Sequence, residues 1–147
     1  MRRGVWFGIV LMVLLIGAGC SPQPSQDGQK VLFDGLTNVF DNGVYYRGTQ
    51  VGTIQSKETG SANVTRITIM VTPDFAPWMG NHVVFFVDGG RLEAVQLQAF
   101  GDPLEKGAPL CGFASKAEFN WFKFKTLLND RVSAARQRAL ALQAGLG

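Results

Sequence analysis

The stretch with least freedom in this chain is GVYYRGTQVGTI, from Gly43 to Ile54. Val44 to Tyr46 and Val51 to Ile54 are short runs rich in β-branched and aromatic residues, so each reads as a strand. Gly48 between them supplies the positive φ that a tight reversal needs. Gly52 lies inside the second run, where a missing side chain marks a bulge or the close approach of another backbone. Together they specify a sharply turned corner of a small β-barrel.

The chain opens Met1-Arg2-Arg3, runs apolar from Val5 to Gly19 and meets Cys20 directly after Gly17-Ala18-Gly19. A basic start, an apolar core too short to span a bilayer comfortably and small residues before the break describe a signal peptide over 1–19. Cys20 in that position fits a bacterial lipobox, although Gly17 stands where Leu or a similar residue is commoner and the nearest such residue is Ile16. Ordinary cleavage and an uncleaved anchor are the alternatives. A diacylated, N-acylated Cys20 would carry several chains and so anchor stably, where one chain binds only marginally.

Without 1–19 the chain keeps 128 residues, the size of one domain with a modest core. Its formal charge drops from +3 to +1, because Arg2 and Arg3 leave with the signal peptide. No cluster of Lys and Arg interleaved with aromatics remains, so nucleic acid is not an expected partner. Ser21 to Gln29 is polar with two prolines, and residues 20–30 read as a lipidated cysteine and its tether. Cys111, in Leu110-Cys111-Gly112-Phe113, reads as a buried small hydrophobe or as a reactive thiol.

Order is expected from Lys30-Val31-Leu32-Phe33, and Asp41-Asn42-Gly43 is a turn into the corner. Thr53 to Asn63 reads as a polar loop or hairpin tip. Val64 to Val71 alternates, with Ile67, Ile69 and Val71 on one face and Arg66, Thr68 and Met70 on the other, as a half-buried strand does. Two prolines break Thr72 to Asn81, where Phe75, Trp78 and Met79 form either a lid on one barrel end or a lipid-touching patch. His82 has no companion at ligand spacing and reads as a strand-edge residue. Val83 to Val87 is a continuous apolar run, hence a strand covered on both faces. Asp88-Gly89-Gly90 reverses it into a return strand, Leu92 to Phe100, and a last short strand covers Pro109 to Phe113.

Tyr46-Arg47-Gly48, then Val51-Gly52 and Ile54, follow the pattern R-G-x-x-V-G-x-I after an apolar-aromatic strand. In the same order come Pro73, the Val83 to Phe100 hairpin and Pro103-Leu104 with Gly107, a P-L-x-x-G close. This set resembles the mammalian cell entry (MCE) domain family, whose MlaD-type members carry lipids across bacterial envelopes. The resemblance covers 31–113, with Gly43, Tyr46, Gly48, Val51 and Gly52 as its fold motif. It implies a mainly β fold, a small MCE-type barrel followed by a C-terminal amphipathic helix, and a homo-oligomer in the form of a hexameric ring. It also implies membrane lipid as ligand, with permease and ATPase subunits as possible partners. Asp88, Arg91 and Leu92 fall where the family carries an apolar loop at the ring centre, and here that loop is short and polar.

Ser115 to Gln143 has neither Gly nor Pro, Ser115 with Glu118 makes a capping box, and Gly145 offers a stop, so 114–145 reads as one helix. Trp121, Phe124, Leu128, Val132, Ala135, Ala139 and Leu142 fall on one stripe. That stripe either docks on the chain's own barrel or, as in a ring, forms a seam between subunits through Leu128, Val132, Ala135 and Leu142. Phe119 and Phe122 fall off it, so the first turns present aromatics on several sides. Phe119, Trp121, Phe122 and Phe124 are the candidate lipid contacts.

No nucleophile elbow, phosphate loop, zinc spacing or carboxylate pair stands out, so neither an enzyme nor a cofactor is expected. The expected protein is an envelope lipoprotein facing the periplasm, in the inner or the outer membrane, that binds or passes phospholipid. The alternative is a structural adaptor lipoprotein that bridges envelope components. Cys20→Ser should leave an unlipidated precursor, since the thioether has nowhere to form; labelled fatty acid incorporated into that variant would refute the anchor.

Overall fold

A computed structural model describes residues 28–126 and 130–146. The signal peptide, Cys20, most of the tether and Leu128 lie outside the described residues. Seven strands form the body: β1 (Gln29–Asp34), β2 (Gly43–Tyr46), β3 (Thr49–Thr59), β4 (Val64–Val71), β5 (Val83–Asp88), β6 (Arg91–Gln96) and β7 (Leu110–Phe113). They close into a barrel in the order β1-β4-β3-β2-β6-β5-β7. Hairpins make the antiparallel pairs β2–β3, β3–β4 and β5–β6, and β1 adds antiparallel to β4. Three parallel pairings, β2–β6, β5–β7 and β1–β7, join these pieces. The fold is thus mainly β, a small closed barrel followed by a C-terminal helical segment.

The corner forms as its sequence requires. Arg47 and Gly48 both have positive φ, 50° and 80°, which gives the turn the I′ twist that matches its flanking strands. Val44 pairs with Gly52 and Tyr45 with Gln50, so Val51 is the extra residue of a bulge. A Cβ on Gly52 would strike the Met70 main-chain oxygen, which is the close approach its glycine permits. β3 then runs on to Thr59, paired with β4 down to Thr65. The polar stretch after Thr53 is therefore strand, and only Gly60 to Asn63 reverses the chain. Gln55 to Thr59 are exposed on both faces, so no alternation marked them.

Val31, Phe33, Val44, Ile67, Ile69, Phe85 and Leu92 fill the barrel from wall to wall, each with no measurable exposure. Each contributes about 1.5–3 kcal/mol by leaving water. Phe75 and Met79 from the β4–β5 loop close one end as part of the same core, whereas Trp78 stays exposed. β6 ends at Gln96, short of the expected Phe100; Val95 and Leu97 lie against a second cluster outside the barrel.

That second cluster joins Val84, Cys111 and Phe113 to Phe119, Ala135 and Ala139 of the C-terminal segment. The segment is two helices, α1 (Lys116–Lys125) and α2 (Arg131–Gly145), and not the single one expected. Ser115 caps α1 by accepting from the Glu118 N–H at 3.1 Å, while Glu118 reaches back to the Ala114 N–H at 2.8 Å. Thr126 leaves the helical region, with φ −105° and ψ 131°, and its hydroxyl donates to the Phe122 carbonyl at 2.6 Å. Arg131 donates to the Lys123 carbonyl at 2.8 Å and to that of Thr126 at 3.2 Å, so a side chain of α2 caps the end of α1.

Gly48→Val should cost about 1–3 kcal/mol, the strain of a β-branched residue held at positive φ. A Cβ there meets nothing within 4 Å, so the loss would be backbone strain alone. Thermal melts of the two proteins measure it, and an unchanged Tm would refute the turn.

Candidate functional site

Asp88 and Arg91 flank the Gly89–Gly90 turn at one end of the barrel, and both are engaged by their own chain. Asp88 pairs with Lys116 at 3.1 Å. The Arg91 guanidinium lies 3.7 Å from the Tyr45 ring centroid, with its Nε 3.8 Å from Asp41. Asp41 in turn accepts from the Gly43 N–H at 2.8 Å and the Tyr45 hydroxyl at 2.9 Å. The Gly43 N–H above all, then the Tyr45 hydroxyl and the Arg91 charge, hold its carboxyl below the ordinary aspartate range. Leu92 is not in the loop; it points into the barrel and is fully buried.

Apolar groups do reach this end, but from the β1–β2 connection. Phe40 donates its N–H to the Gly90 carbonyl at 2.8 Å, its ring lies against Gly90, and it is 80% exposed. Leu36 of the same connection is 72% exposed. Sequence reasoning passed over both, because they sit singly in a stretch without period. The signal available was an isolated Leu and Phe between turn residues, Gly35-Leu36 and Val39-Phe40-Asp41-Asn42.

On α1 the aromatics divide the opposite way from the expected stripe. Phe119 is buried, stacked on Phe86 at 5.0 Å and tilted against Phe113 at 5.5 Å; Phe122 is half-buried, 4.9 Å from Phe113. Trp121 and Phe124 point outward, 56% and 82% exposed, stacked on each other at 5.7 Å. Of the proposed seam, Ala135 is buried with Ala139 in the cluster that includes Cys111 and Phe113 of β7, while Val132 and Leu142 are half-buried. α2 therefore spends its small-residue face on its own chain. The motif residues Gly43, Tyr46, Gly48, Val51 and Gly52 serve the corner and not a site; the Tyr46 hydroxyl donates to Gln96 at 3.1 Å.

Cys111 faces a cavity of ≈ 100 Å³ between β7, α2 and the loop before β7, lined also by Val84, Leu104, Pro109, Leu110 and Ala135. Burial pushes its thiol up to about 12, so it stays neutral and inert. His82 is buried just before β5, and its Nδ1 has no hydrogen-bond partner among the described residues. Burial lowers its pKa from the ordinary 6.5. Among the described residues no helix is long and apolar enough to cross a membrane, and no three His, Cys, Asp or Glu side chains gather as metal ligands.

Because His82 stays neutral in the fold at a pH where the unfolded chain takes up a proton, stability is full above pH 6.5 and falls as pH drops below it. The slope should not exceed about 1.4 kcal/mol per pH unit. Melts between pH 7.5 and 5 should show that loss, and His82→Gln should flatten it. No family model matches the chain, and no curated protein does.

Proposed function

We propose that the chain is the substrate-binding component of an envelope lipid-transport system, a lipoprotein that binds or passes phospholipid. The observation that carries this reading is the pairing of a filled barrel with Phe40 exposed beside the Gly89–Gly90 turn and Leu36 exposed on the same connection. A filled barrel has no room for an acyl chain, so lipid must be met on its outside. Phe40, held in water at the hairpin end and tied to Gly90 by a main-chain hydrogen bond, supplies an apolar contact there. By the resemblance around Gly43 to Ile54, that same hairpin would face the centre of a ring. In a ring, Phe40 would provide the apolar lining that the polar Asp88 to Glu93 loop lacks.

A second reading, an adaptor lipoprotein that moves no lipid, draws on the engagement of Asp88 and Arg91 and on Ala135 and Ala139 being buried against their own chain. Native mass spectrometry of protein purified in mild detergent separates the two. A ring carrying phospholipid is expected, and a photo-crosslinker at Phe40 should capture that lipid while one at the half-buried Phe122 should not. A lipid-free monomer that captures nothing at Phe40 would overturn transport and leave the adaptor.

A further inference from the structure

Charge is divided sharply between the two layers of the molecule. Over 28–114, Lys and Arg number six and Asp and Glu eight, a formal −2. Over 115–146, Lys116, Lys123, Lys125, Arg131, Arg136 and Arg138 stand against only Glu118 and Asp130, a formal +4. Of those cations Lys116, Arg136 and Arg138 are paired with Asp88, Glu105 and Glu118. Among the described residues Lys123 and Lys125 meet no carboxylate. They lie instead over aromatic rings, Lys123 4.6 Å from the Phe119 centroid and Lys125 4.8 Å from that of Trp121.

The helical period sorts α1 into a bound and an open side. Phe119 and Phe122 fix it to the barrel, while Ala117, Asn120, Trp121, Phe124 and Lys125 are all exposed and neighbour one another around the opposite arc. None of these is acidic. A stacked Trp–Phe pair with an ammonium group beside it is the side-chain set that settles at a headgroup boundary, the rings entering the acyl edge and the lysine meeting phosphate. An identical copy of the chain would bring the same Lys125 charge against itself, which argues against a self-complementary contact through this face.

We propose that the outer face of α1, Trp121 and Phe124 with Lys125, docks on the surface of a bilayer rich in anionic phospholipid. The barrel, with its formal −2, is held on the far side of the helical layer. The acyl anchor or apolar segment before residue 28 would keep the chain near a membrane; the docking would fix which face it turns toward that membrane. The proposal rests on the envelope reading only in needing a bilayer within reach.

The test uses the full chain with Trp6→Phe and Trp78→Phe, so that Trp121 is the sole tryptophan, reconstituted into vesicles and recovered with them by flotation. Vesicles of phosphatidylcholine alone are compared with equal parts phosphatidylcholine and phosphatidylglycerol, each with brominated acyl chains. In the anionic vesicles Trp121 emission should be quenched about twofold or more beyond that in phosphatidylcholine. The difference should vanish in 1 M salt, where the Debye length is about 3 Å. Lys125→Glu should also remove it, with far-UV circular dichroism unchanged. Equal quenching in both vesicles, or none in either, overturns the proposal, and the salt comparison decides even if the charge variant misfolds. A disulfide between copies through Phe124→Cys, with Trp121 unquenched, also overturns it and assigns the face to self-association. Since N-terminal anchoring in vesicles does not require bound substrate lipid, failure here leaves the native mass spectrometry result standing, and the reverse holds.

Discussion

The barrel closes at Gly112. β7 is four residues long and is held on both sides by parallel pairing, to β1 through Phe33 and to β5 through Phe85, with Gly112 opposite each. Phe33 and Phe85 are both fully buried inside the barrel, and a Cβ on Gly112 would sit within the Phe33 ring. Three bulky side chains in adjacent strands at one level would overfill a barrel this narrow, and a glycine between two phenylalanines lets the wall close at interior density. Everything on the outside follows from that wall. All four residues of β7 are buried, so its outward pair, Cys111 and Phe113, needs a cover as much as its inward pair does. The helices supply it, and they belong to the fold as a second core.

Two-sided burial also explains which elements were legible from the sequence. β4 alternates because its outer face meets water, so Ile67 and Ile69 announced a half-buried strand. VVFFV and LCGF are continuous because helices cover their outer faces; Val84 and Phe86 point to the helices while Val83, Phe85 and Val87 point inward. The corner was legible through its glycines. β3 beyond Ile54 was not, because its outer half is held by main-chain pairing to β4 and buries no side chain. Gly112 was passed over as well, since a glycine in a short apolar run shows nothing of the rings that flank it in other strands.

The helical segment shows where a periodic argument fails. Counting one unbroken helix from Trp121 to Leu142 set the phase by residues of what is α2, and Val132, Ala135, Ala139 and Leu142 do share a face there. Carried back across the break, that phase put Trp121 and Phe124 inward and Phe119 and Phe122 outward, the reverse of what packs. The break has no Gly or Pro to signal it. Thr126, bonded back to the Phe122 carbonyl, and Arg131, reaching across to cap α1, end the helix by contacts between residues several positions apart. With four aromatics in six residues, apolar period cannot decide which pair turns inward. The second core decides it, because Phe86 and Phe113 accept Phe119.

The same packing assigns the chemistry of the surface. Once β7 draws the helices onto β5, β7 and β1, the aromatics that cannot fit beneath them are displaced into water beside the lysines of the last turn of α1. At the hairpin end, Asp41 and Tyr45 take up Arg91, and Lys116 takes up Asp88, so the charges of the polar turn are paired within the chain and Phe40 stands over it. The barrel interior is filled by buried side chains, and residues 28–114 carry carboxylates in slight excess. Outside the strands, the described residues offer an apolar loop at one end and a cationic aromatic helix on one side. Under the proposed reading, the apolar tail and the phosphate head of a lipid would each find a counterpart there.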